Sequence, residues 1–171
     1  MKPNKSKNIY KDIKDVFAKL NLPIKKDRKR GDFFVDISFL DDGKLIRCVG
    51  AYVDKYQEYV ALTMSIKQTV PSDKIPVMLE LINLVNQSAV IDHLVMESTT
   101  KTVILTKGVI IDEGLLDKKE FETAVRTILG NGSMFFPLVL EQISSNDKPE
   151  ALMERFWRNN PHLRASCHLD K

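Results

Sequence analysis

Between residues 32 and 67 the hydrophobic period of the chain becomes that of a strand, and this stretch dictates most of the fold. Phe33, Val35, Ile37 and Phe39 alternate with Phe34, Asp36, Ser38 and Leu40, which predicts a strand over 32–40. Asp41-Asp42-Gly43-Lys44 reads as a tight turn, because glycine supplies the positive φ that hairpin turns need. Leu45 to Val53 continue as a second strand, and Asp54-Lys55-Tyr56 turn the chain again. In the third strand, 57–67, Val60, Leu62, Met64 and Ile66 point inward while Tyr59, Ala61, Thr63 and Ser65 point outward. Three consecutive strands on short turns form an antiparallel meander.

The flanking segments carry the 3.6-residue period instead. Ile9, Ile13, Val16, Phe17 and Leu20 fall on one face of a helix over 5–21, closed by Asn21 and Pro23. Val70-Pro71-Ser72-Asp73 feeds a second helix, with Pro76 in its first turn, where a missing N–H costs nothing. That helix runs to about Gln87 and looks buried on most sides. A hairpin follows, with strands near 91–98 and 102–110. Asp117 is placed to cap a third helix, with Glu120 at the capping-box spacing. Gly130-Asn131-Gly132 should loosen or break this helix, and Pro137 should kink its continuation to Ser144. A last helix spans 149–158. The order α-β-β-β-α-β-β-α-α defines an α+β fold, a twisted antiparallel sheet with helices mainly on one face. A single domain over 1–158 and a tail over 159–171 are expected.

Charge is unevenly spread. Residues 1–30 hold eleven Lys or Arg against three Asp, whereas the remainder holds 15 basic against 20 acidic residues. A basic arm therefore precedes an acidic body. No apolar run approaches the ~20 residues that span a bilayer, and the first residues lack the apolar core of a secretory signal. Two cysteines, Cys48 and Cys167, make no disulfide framework. The expected setting is cytoplasmic, without a membrane partner.

Chemistry finds little to stand on. A nucleophile needs an oriented base, and the three histidines are His93, inside a predicted strand, and His162 and His168 in the tail. Cys48 lies mid-strand, where a small packed side chain is the ordinary reading. His162, Cys167 and His168 lack the further ligands that a structural zinc requires. Asp41-Asp42 and Asp112-Glu113 sit at turns, without apolar surroundings to raise a carboxyl pKa. No phosphate-cradling glycine motif occurs. Catalytic residues, cofactor and metal are all expected to be absent, and the chain is expected not to be an enzyme.

Two groups of residues suit binding. Lys25, Lys26, Arg28, Lys29 and Arg30 form a basic run that reads first as a solvated loop and next as a contact for an acidic protein. Contact with nucleic acid is the alternative, disfavoured by the acidic body and the lack of interleaved aromatics. Phe135, Phe136, Phe156 and Trp157 crowd the end of the chain, where they either cap the sheet or line a dimer contact or groove.

Val70-Pro71, the helix carrying Asn83 and Asn86 with its Leu84-Val85-Asn86 end, the hairpin Ile91–Gly108 and Phe135-Phe136-Pro137 together resemble the YbjN family of bacterial proteins. The resemblance covers about residues 8–144. It implies the helix, meander, helix, hairpin, helix order of type III secretion chaperones. It further implies a non-enzymatic, often dimeric protein, loosely described as a sensory transduction regulator. Chaperones of similar fold bind an extended segment of a partner polypeptide along helix and sheet surfaces. The basic run and the tail with Trp157 depart from the family pattern. The resulting expectation is a chaperone-like or regulatory adaptor that binds a protein or peptide partner as a homodimer.

Overall fold

The computed structural model describes residues 5–26, 33–38, 46–53, 58–88 and 92–161. In chain order these form α1 (Lys5–Lys19), β1 (Ile24–Lys26), β2 (Phe33–Ser38), β3 (Ile46–Val53) and β4 (Tyr59–Thr69). A single 3-10 turn (Ser72–Lys74) leads into α2 (Ile75–Ser88), followed by β5 (His93–Met96), β6 (Thr102–Asp112) and β7 (Leu115–Leu116). The chain closes with α3 (Lys118–Ser144) and α4 (Pro149–Asn159).

The sheet is antiparallel throughout, in the order β1-β2-β3-β4-β6-β5, with β7 paired to the far end of β6. The predicted meander is present as β2-β3-β4, and β1 extends it by one strand. The predicted turns at 41–44 and 54–56 lie outside the described residues. Between β6 and β7, Glu113 and Gly114 both take positive φ, 46° and 79°, as a two-residue hairpin loop requires.

The alternation of β4 sorts its two faces. Val60, Leu62, Met64 and Ile66 are buried beneath the helices, in one core with Val103, Leu105, Val109 and Ile111 of β6. Helix α3 crosses β4 and β6, while α1 packs against α3 and β7, and α2 against β5, α3 and α4. Phe17 of α1 meets Phe121 of α3 with ring centroids 5.9 Å apart. Such buried rings contribute on the order of 2–3 kcal/mol each.

Gly130-Asn131-Gly132 does not break α3, which runs unbroken from Lys118 to Ser144. The local cost of glycine, about 1 kcal/mol each, is outweighed by what these residues touch. A side chain at Gly132 would begin 2.3 Å from the Met64 sulfur, so glycine lets α3 lie against β4 without displacing the buried end of Met64. Asn131 is held by a buried carboxylate described below. Pro137 lies inside the same helix on its exposed side. At the start of α3 the Asp117 carboxylate accepts from the backbone N–H of Lys119 at 2.8 Å and of Glu120 at 3.0 Å, the expected N-cap.

Candidate functional site

The face of β4, β6 and β5 turned away from the helices carries three of the large apolar side chains that the fold leaves exposed, Tyr59, Val95 and Ile110. Register brings together Tyr59, Ala61, Thr63 and Ser65 of β4, Ile104, Thr106, Gly108 and Ile110 of β6, and His93 and Val95 of β5. Ile110 is 74% exposed, and Tyr59, directly opposite it, is 44% exposed. Val95 is 43% exposed, beside Ile104. None of these ten residues is Lys, Arg, Asp or Glu, although such residues make up 29% of the chain; the first charge on this face of β6 is Asp112, at the strand's end. A solvated sheet face ordinarily carries charge at its outward positions. Gly108 adds open space, with nothing within 4 Å of where its side chain would stand. Glycine inside a strand weakens it and often marks close approach of another backbone.

Beneath that face the sheet carries a buried charge. Lys107 interrupts the apolar row of β6 between Leu105 and Val109, on the helix side and opposite Leu62. Its ammonium lies 2.9 Å from an oxygen of Asp92, whose side chain is only 1% exposed. The other Asp92 oxygen accepts from Asn131 Nδ2 at 2.7 Å. The three groups satisfy one another and pin the α2–β5 connection to α3. A buried pair of this kind fixes register more than it adds stability.

Two surface clefts complete the description. One lies between α3 and α4, about 330 Å³, with Met134, Pro137, Leu138, Leu152 and Phe156 along it and Glu141 and Arg155 at its rim. Arg155 bridges Asp147 at 2.8 Å and Glu141 at 2.6 Å, which raises its already high pKa. The other, about 380 Å³, lies where α1 meets the start of α3. There Lys118 binds Asp12 at 2.8 Å and Asp15 at 3.0 Å, and both bonds raise its pKa. Hydrogen bonding to Lys118 holds the Asp15 carboxyl below its ordinary range. Glu122, held by Lys19 and then Arg126, is likewise lowered. These mixed, already paired charges tie helices together and leave little to recognise a ligand.

The aromatic residues singled out in the sequence separate. Phe135, Phe136 and Phe156 are buried in the core, and Trp157 is half-buried, stacked edge-on against Phe156 at 4.8 Å. Of the basic run, the backbone of Lys25 and Lys26 forms β1, opposite Phe34 and Phe33, rather than a loop. Arg28, Lys29 and Arg30 fall outside the described residues, as do His162, Cys167 and His168. Cys48 pairs through its backbone with Asp36 and Ser65. His93 is exposed on β5, and Asp112 and Glu113 are exposed at the β6–β7 turn. Among the described residues, no three His, Cys, Asp or Glu side chains converge as metal ligands would. Nor, among them, is any helix long and apolar enough to cross a membrane.

Three features escaped the sequence reading. The open face was legible as the outward half of the β4 alternation alone, and not as uncovered. Lys107 announced itself only as a charge at an inward position. Asn86, named above only as part of the end of the second helix, hydrogen-bonds across to β5: its Oδ1 accepts from the Leu94 N–H at 2.8 Å, and its Nδ2 donates to the Leu94 carbonyl at 2.9 Å.

No family model matches the chain, and no curated protein sequence matches it. Two solved structures are similar to it. One is ExsC in its complex with ExsE, at 14% identity and a TM-score of 0.48, covering 77% of this chain and 92% of that one. The other is YbjN from E. coli, at 11% identity and a TM-score of 0.47, covering 88% of this chain and 89% of that one. YbjN is the family named by the resemblance in the sequence. At these identities no residue role passes from either structure to this chain.

Proposed function

We propose that this chain is a non-catalytic, chaperone-like or regulatory adaptor that binds a partner polypeptide on the helix-free face of its sheet. The observation that supports the reading is that face itself: ten outward positions over β4, β6 and β5 without a Lys, Arg, Asp or Glu, with Tyr59, Val95 and Ile110 exposed. Burying such a face is favourable at roughly 25 cal/mol per Å² of apolar area, before the costs of association. The hydroxyls of Thr63, Ser65 and Thr106 supply hydrogen bonds that orient a bound segment without demanding one sequence. A binding face of this composition suits an extended or amphipathic segment.

The adaptor acts in the cytoplasm as a homodimer, built on one domain over 1–158. The α3–α4 cleft, lined by Leu138, Leu152 and Phe156, is our candidate for its dimer contact, with the half-buried Trp157 packed against Phe156 beside it. The experiment is site-specific photo-crosslinking in an extract of the source cells, with the crosslinker at residue 59, 110 or 126. Discrete polypeptide adducts from 59 and 110 but not from 126, on the outer side of α3, are expected. Equal adducts from all three, or none from 59 and 110, would overturn the reading.

A further inference from the structure

We propose that Asn131-Gly132 is a self-modifying site gated by α3. While the helix is closed the pair stays intact. Where the helix opens, Asn131 converts to aspartate and isoaspartate, and Asp92 then opposes closing. The reaction needs only water, and it is independent of what the open sheet face binds.

Asn131-Gly132 is the one Asn-Gly pair in the sequence. Such a pair attacks itself readily, because glycine has no side chain to obstruct its own backbone nitrogen. That nitrogen bonds to the asparagine Cγ, the Cγ–Nδ2 bond breaks, and ammonia leaves with the proton that the nitrogen gave up. Water then opens the five-membered imide at one of its two carbonyls. One opening leaves aspartate, and the other reroutes the main chain through the side chain as isoaspartate. Nothing is oxidised or reduced.

The closed structure withholds what that attack needs. Both residues lie within α3, where the Gly132 N–H belongs to the carbonyl four residues back. The leaving amide is held elsewhere, since Asn131 Nδ2 donates to Asp92 at 2.7 Å. Asp92 is itself 1% exposed and bound by Lys107 at 2.9 Å. Gly132 is buried, with Met64 where a side chain would begin. Yet the same segment is a weak point of the helix, because two glycines in three residues disfavour it locally. Conversion also reverses the contact with Asp92. A carboxylate formed at 131 meets the Asp92 carboxylate, with one Lys107 ammonium to serve both, and two carboxylates at that distance disfavour each other's charge. The isoaspartate form adds a methylene to the main chain directly before the glycine that fits against Met64. Opening is reversible, and conversion is not.

The test follows the wild-type full chain at neutral pH in buffer, in urea below the unfolding midpoint, and in urea above it. Conversion at 131 is read by peptide mapping with mass spectrometry, which separates aspartate from isoaspartate by retention. The pair should stay intact in buffer and convert in step with the open fraction, at least about tenfold faster above the midpoint. Gly130→Ala keeps the reacting pair and favours the helix. It should slow conversion about two- to fivefold below the midpoint and leave the rate above it unchanged. After return to buffer, a brief protease pulse should digest the converted chains first. Asn131→Asp should also unfold at lower urea than Asn131→Ala, because both lose the bond to Asp92 and only the aspartate adds repulsion. Conversion as fast in buffer as above the midpoint, or no slowing by Gly130→Ala, would overturn the gating. Converted chains as protease-resistant as intact ones, or an aspartate variant as stable as the alanine one, would overturn the part given to Asp92.

Discussion

Gly132 and Gly108 show how differently the two faces of this sheet are used. The first sits in α3 against the helix side of β4, with the Met64 sulfur 2.3 Å from where a side chain would begin. The second sits on β6 facing the other way, with nothing within 4 Å. One face is filled to contact by its own chain. The other has room left for something else. If the helix side carries stability and the open side the proposed recognition, substitutions on the two faces should separate cleanly in their effects.

The sharpest way to break that division is through Asp92. Asp92→Ala leaves Lys107 beneath the helices with no counter-charge and strands Asn131, and it should destabilise the fold by about 3 kcal/mol, measured by urea unfolding. If the loss were under about 0.5 kcal/mol, the helix side would not be the stability-bearing face. Next in size, Gly132→Leu should cost about 2 kcal/mol through overpacking against Met64 and Phe136. By contrast, Gly130→Ala, two residues earlier and in open space, should stabilise by about 0.5–1 kcal/mol. On the open face, the double substitution Tyr59→Ser and Ile110→Ser should change stability by less than about 1 kcal/mol yet abolish polypeptide crosslinking from residue 108, two residues along the same face of β6. A large loss of stability there would mean that this face too is core.

The smallest effect expected is in acid. The Asp117 carboxyl lies below its ordinary range because it accepts first from the Glu120 N–H and then from the Lys119 N–H. A carboxylate lowered on folding contributes stability above its unfolded pKa of about 4. That contribution is lost as pH falls through the lower folded value. Asp117→Ala should therefore lower the melting temperature slightly at neutral pH and flatten its fall below about pH 4. Lys118 has the opposite sign: its raised pKa contributes below the unfolded value and is lost at more alkaline pH.

The meander was readable because Val60, Leu62, Met64 and Ile66 repeat at period two, a property of the strand alone. Its first strand was not readable. Ile24-Lys25-Lys26 is too short to show a period and looks like a charged loop, and only pairing with Phe33–Val35 makes it a strand. The unbroken α3 was misjudged for a related reason. Gly130-Asn131-Gly132 opposes a helix locally, but Met64 and Asp92 lie 68 and 39 residues back in the sequence, and these long-range contacts favour it. The open face falls between these cases. Alternation named its β4 residues, Tyr59, Ala61, Thr63 and Ser65, but which side of a sheet receives the helices is decided by the whole chain. Phe135, Phe136 and Phe156 illustrate the converse, since a cluster of aromatics reads alike whether it fills a core or meets a partner.

The amide of Asn86 has a bearing on the order of events as the chain folds. Only eight residues separate it from Leu94, and short separations close early, before the long-range pairing of β4 with β6. The hairpin edge is thus guarded from its first moments by a helix that precedes it in synthesis.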